Sequence, residues 1–143
     1  MKNLIYTLLI MALATLIGCS SGTEKKPFAF GKGKYKFVMT DSLGKKILDG
    51  NLTVKDYLVN NISGTYDIVN VYQKDFIALG VMDGTFDGNV IQDSNTVFIN
   101  TNPRIADANV FWNMKIRSSS VSGEWRYSVF RGSVNKGKVK ITK

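Results

Sequence analysis

The chain has no histidine, one cysteine and only two glutamates in 143 residues. Each shortage excludes something. Without histidine there is no Ser-His-Asp or Cys-His arrangement, and the commonest general base and metal ligand are missing. A typical zinc site is excluded for the same reason. A single cysteine forms no disulfide within the chain, so a packed core must hold the fold without staples. No stretch carries a sustained helical period, so a helical architecture is excluded as well. No residue pattern calls for a cofactor.

What is present is a period of two. Tyr35, Phe37 and Met39 alternate with Lys34, Lys36 and Val38. Val110, Trp112, Met114 and Ile116 alternate with Phe111, Asn113, Lys115 and Arg117. Trp125, Tyr127 and Val129 alternate with Arg126, Ser128 and Phe130, and Val139 and Ile141 with Lys138, Lys140 and Thr142. Strands with one dry and one wet face give this pattern. Turn signals divide them: Ser42-Leu43-Gly44, Asp49-Gly50-Asn51, Asn60-Asn61, Asp83-Gly84, Asp87-Gly88-Asn89, Asp93-Ser94-Asn95, Ser118-Ser119-Ser120 and Asn135-Lys136-Gly137. Strands are expected at 33–41, 45–54, 62–72, 75–82, 84–92, 95–100, 109–118, 121–130 and 132–142, with adjacent short pieces free to merge. One helical turn fits 54–61 and another 104–108.

Weak internal similarity, such as Ile62-Ser63-Gly64-Thr65-Tyr66 with Val121-Ser122-Gly123-Glu124-Trp125, points to repeated hairpins. The expected fold is all-β: an antiparallel up-and-down meander closing into a small barrel of about eight strands. The alternative is an open two-layer β-sandwich. Closure would set the first strand beside the last and bring Lys34 and Lys36 near Lys138 and Lys140 as one basic stripe. The fold resembles small lipocalin-like barrels in architecture, with Gly33-Lys34-Tyr35 where true lipocalins carry Gly-x-Trp.

The formal charge is +8, unevenly spread. Trp125 to Lys143 holds six cations and no acid, and Glu24 to Lys46 holds seven lysines against Glu24 and Asp41. Ile47 to Met114 reverses this, with eight Asp against Lys55, Lys74 and Arg104. A basic face at an envelope surface suits phospholipid or lipopolysaccharide phosphates. Solvent-facing strand positions explain the same charges without any partner.

Few constellations could carry chemistry. Asp83, Asp87 and Asn89 have the composition of a calcium loop but neither its spacing nor its closing Glu, and Asp-Gly turns explain them more simply. No pair among the eleven acids stands out for glycoside hydrolysis. Glu124 fits better as an exposed strand residue facing a cross-strand Lys or Arg. The longest break between strands, Asn100 to Asn109, is rich in amides. Arg104, Asp107 and Asn109, with nearby Trp112, are candidates for a polar ligand at a barrel mouth. An ordinary connection with Asx turns is the competing reading.

The N-terminus carries the sharpest motif. Lys2 gives a positive start, Leu4 to Leu16 an apolar run too short for an ordinary membrane span, and Gly18 a small residue before the lone Cys19. Leu16-Ile17-Gly18-Cys19 resembles the bacterial lipobox. That resemblance implies a signal peptide at 1–18, diacylglycerol (with palmitate-type acyl chains) on Cys19, cleavage after Gly18 and acylation of the new amino group. Two or three acyl chains anchor stably where one does not. Ser20 and Ser21, with no Asp beside Cys19, favour sorting to the outer membrane over the inner. Residues 19–32 read as a lipidated tether reaching on the order of 45 Å. Residues 33–143 read as the β domain.

Three functional readings follow. The first is a non-catalytic, lipid-anchored envelope barrel that binds a small ligand or envelope component. The second is a structural or interaction lipoprotein with no ligand cavity. The third is a carboxylate hydrolase. The export signal argues against a nucleic-acid partner. The barrel interior separates the first two: a cavity favours the binder, an inside packed solid by Phe, Trp, Tyr and Met the interaction protein.

Overall fold

The computed structural model describes residues 28–74, 83–104, 107–130 and 132–143. The leader, Cys19, the strand expected at 75–82 and the middle of the 104–108 turn lie outside them. Eight strands run in order: β1 (Gly33–Asp41), β2 (Lys46–Leu58), β3 (Asn61–Val71), β4 (Gly84–Ile91), β5 (Thr96–Asn100), β6 (Asn109–Ile116), β7 (Val121–Val129) and β8 (Gly132–Thr142). Each pairs antiparallel with its sequence neighbour, and β8 pairs with β1 to close the barrel. The expected meander is therefore a closed eight-stranded barrel and not an open sandwich.

The alternation sends every second side chain inward. Phe37, Met39, Leu52, Phe86, Ile99, Trp112, Met114, Trp125 and Ile141 are all below 2 % exposed. An eight-stranded barrel is just wide enough for its own side chains to fill. Each such burial stabilises by about 1.5–3 kcal/mol. Trp112 and Trp125 stand directly opposite each other on β6 and β7, and Phe37 tilts against Trp112 at 5.1 Å between ring centres.

Glycines make room for these rings. Phe37 faces Gly50 across β1 and β2, Phe86 faces Gly64 across β3 and β4, and Trp125 faces Gly137 across β7 and β8. A Cβ on Gly64 would stand 2.8 Å from the Phe86 ring, and one on Gly137 would stand 2.7 Å from Trp125 Nε1. That gap lets the Trp125 Nε1–H donate to the Thr40 carbonyl at 2.7 Å, tying β7 to β1 past the intervening strand. This corrects part of the turn reading. Asp49-Gly50-Asn51, Asp87-Gly88-Asn89 and Asn135-Lys136-Gly137 lie inside strands. The turns at 42–44, at 93–95 and at 118–120 fall between strands as expected.

Residues 54–58 likewise continue β2 and do not form a helical turn. An irregularity between Val54 and Asp56 shifts the register, after which Tyr57 pairs with Ile62 and Leu58 with Asn61. A second irregularity, between Met39 and Thr40, leaves Ile47 as an extra residue and buries it beside Leu48.

The chain enters beneath the barrel. The Phe28 N–H donates to the Ser118 carbonyl at 3.0 Å. Phe28 and Phe30 pack on Tyr35 at 6.0 and 5.3 Å between ring centres. Tyr35 Oη accepts from the Gly31 N–H at 3.0 Å and donates to its carbonyl at 2.8 Å. Residues 28–31, read from sequence as tether, thus cap the lower mouth. At the other mouth the Tyr66 hydroxyl donates to the Thr101 carbonyl at 3.0 Å, and burial pushes its phenol pKa up.

Candidate functional site

The seam between β1 and β8 gathers the basic ends of the sequence on the outer face. Lys140 stands opposite Val38, Lys138 opposite Thr40, and Lys36 opposite Thr142. The register therefore staggers the lysines, avoiding the cost of like charges directly opposed. Lys34 extends past the last β8 partner and pairs with Thr53 of β2. The lysines fall into two groups. Lys34 and Lys36 line a depression of about 420 Å³ with Lys143, Asn51 and Asp67. Lys138 and Lys140 line an open groove of about 660 Å³ with Val38, Thr40, Arg117 and Glu124. Glu124 lies directly across from Lys138, the cross-strand cation expected for it. Arg117, which is not part of the basic stripe expected from the sequence, joins the groove from the β6–β7 turn and donates through Nε to Ser122 Oγ at 3.2 Å.

The amide-rich loop looks different. Trp112 is wholly buried inside the barrel, and Asn109 is nearly buried at the start of β6. Asp107 is exposed, and its Oδ1 accepts the Ala108 N–H at 2.8 Å and the Phe130 N–H at 2.6 Å. Arg104 lies outside, in a depression of about 230 Å³ with Lys55, Asp87 and Pro103. The structure does not bring these four side chains to one mouth. Asn100 and Asp107 act as turn-forming groups: Asn100 Oδ1 accepts the Asn102 N–H at 3.0 Å.

Two further acids have local duties. Asp83 Oδ1 accepts the Ile68 N–H at 2.7 Å. Asp49 accepts from Lys46 Nζ, Asn70 Nδ2 and Tyr72 Oη, each at 2.8 Å, and the Lys46 ammonium holds its carboxyl below the usual aspartate value. Among the described residues no three potential ligands from Asp, Glu, His and Cys gather to hold a metal ion.

The barrel is apolar inside and charged outside. Membrane-spanning barrels turn an apolar band outward. Lys34, Lys36, Lys138 and Lys140 occupy the positions where such a band would lie. Among the described residues no helix is long and apolar enough to cross a membrane.

Three side chains that the sequence reading passed over stand in water at hairpin tips: Leu58, Val59 and Ile91, exposed by 64, 81 and 55 %. An apolar pair directly before the Asn60-Asn61 turn signal is the feature that could have flagged the first two. Compared with protein-family models, curated proteins and solved structures, the chain matches none.

Proposed function

We propose that this is a lipid-anchored lipoprotein of the bacterial cell envelope, held in the outer membrane through Cys19, whose barrel does no chemistry and acts through its outer surface. The lipobox Leu16-Ile17-Gly18-Cys19 supports the anchor. The observation that carries the rest is the interior: Trp112, Trp125, Phe37 and Phe86 fill it, each at or near zero exposure. This favours the interaction reading over a ligand held inside the barrel. The surface most suited to a partner is the seam, where Lys36, Lys138, Lys140 and Arg117 face phosphate-bearing envelope components.

Intact mass of the mature protein tests the anchor. The expected mass begins at Cys19 and carries the acyl chains. Retention of Met1, or an unmodified Cys19, would overturn it.

A further inference from the structure

An up-and-down barrel has two distinct ends, because its turns alternate between them. The β2–β3, β4–β5 and β6–β7 turns share one end with the start of β1 and the end of β8. Phe28 is bound there, to Ser118 of the β6–β7 turn. The 27 residues that precede it therefore connect to the barrel at this end.

Leu58, Val59 and Ile91 project from that same end. The two hairpin tips touch: the Val90 N–H donates to the Asn60 carbonyl at 2.7 Å, and Gln92 Nε2 donates to the Val59 carbonyl at 3.4 Å. Val59 has φ +50°, a left-handed conformation that a β-branched residue adopts only under strain. Glycine or asparagine would suit the position. The fold thus bears a strained residue whose side chain is 81 % exposed.

Cations surround these tips. Lys32, Lys34, Lys55, Lys115, Arg117, Lys140 and Lys143 lie at or near this end, against Asp56, Asp87, Asp93 and Glu124. Asp56 is already paired with Lys32 at 3.6 Å. Apolar side chains also stand out at the far end, Leu43 at 93 % and Phe130 at 95 %. There each is backed by a carboxylate: the Leu43 N–H donates to Asp41 Oδ1 at 2.9 Å, and the Phe130 N–H to Asp107 Oδ1 at 2.6 Å. The near end is net basic, which suits a negative surface.

From this placement we infer that Leu58, Val59 and Ile91 form the contact by which the barrel rests in the interface of an anionic phospholipid bilayer. The lipid anchor then fixes the distance, and these side chains fix the orientation, with the cations over the headgroups. The inference deepens the anchored reading and rests on it, but the two fail differently.

The test uses the full chain, matured and acylated, in vesicles of phosphatidylethanolamine and phosphatidylglycerol. With Cys19 acylated, an introduced cysteine is the one free thiol for an environment-sensitive fluorophore. Ile91→Cys and Leu43→Cys place it at opposite ends. The expected result is a blue shift and quenching by spin-labelled lipid at position 91, with position 43 remaining aqueous. Val59→Gly, added to Ile91→Cys, should reduce the quenched fraction up to about tenfold, as expected for losing one buried apolar side chain. It should do so without lowering thermal stability, because glycine relieves the positive φ. A purely structural role for Val59 would move stability and leave the label unchanged.

An aqueous label at 91, or equal shifts at 43 and 91, would overturn the inference. So would a shift at 91 that follows protein concentration without vesicles, which would mean a second copy covers the tips. If intact mass shows no acyl chain, the anchor reading fails by itself. The label comparison, with the unanchored chain carrying Cys19→Ser added to the same vesicles, then decides this inference alone.

Discussion

The inside and the outside of this barrel obey different rules. Inside, large rings sit against glycines on the facing strand, as Phe86 does against Gly64, and nothing can change size without a collision or a void. Outside, the seam lysines are staggered, exposed and joined to little. Stability is concentrated in one region, and the means of meeting a partner in the other. The same strands serve both, because their two faces point apart.

The largest expected break of that contrast is Trp125→Ala. It removes a wholly buried side chain and the donor to Thr40, and should cost about 3–5 kcal/mol in denaturant unfolding. A loss below 1 kcal/mol would mean the interior is looser than described. Gly64→Ala comes next. A methyl added there meets the Thr53 carbonyl and the Phe86 ring, so a loss of about 1–3 kcal/mol is expected, opposite in sign to the usual gain from replacing glycine in an open site.

Outside, Asp49→Asn should cost less than about 1 kcal/mol, because the pair with Lys46 is solvent-facing. Its signature is in pH. Lys46 depresses the folded-state pKa of Asp49, so the stabilisation is complete above the unfolded value near 3.8 and is lost as pH falls through the lower folded value. Acid titration of the variant should lack that component, and an unchanged acid limb would exclude Asp49 as its source. Smallest of all for stability, Lys138→Gln with Lys140→Gln should leave unfolding within about 0.5 kcal/mol. Yet adsorption to phosphate-bearing surfaces should weaken about fivefold per lysine at low salt. Binding unchanged by the pair would remove the seam from the functional reading.

The sequence made the two-faced strands legible because alternation is local: Val110, Trp112 and Met114 share one parity, and all three are buried. That same parity conflicts with placing Trp112 at a mouth beside Arg104 and Asp107. The glycines were harder. Gly50, Gly88 and Gly137 resemble turn formers beside Asp or Asn, and what assigns them to strands is a contact far away in sequence. Gly137 is fixed by Trp125 and the Thr40 carbonyl, and no local pattern contains Thr40. The strained tip at Val59 was also hidden, since positive φ at a β-branched residue is a property of the closed hairpin.

The β1–β8 seam also sets a clock. Lys36 pairs with Thr142 and Asp41 with Gly137, so the first strand waits for the last before it has a partner on that side. Until β8 arrives, β1 and β7 are open edges, the surfaces from which strand-wise aggregation starts. Such long-range closure is slow compared with local hairpin formation. A chain stopped short of β8 therefore leaves a sheet with two unprotected edges, and the final strand is the step at which this protein becomes safe from its own copies.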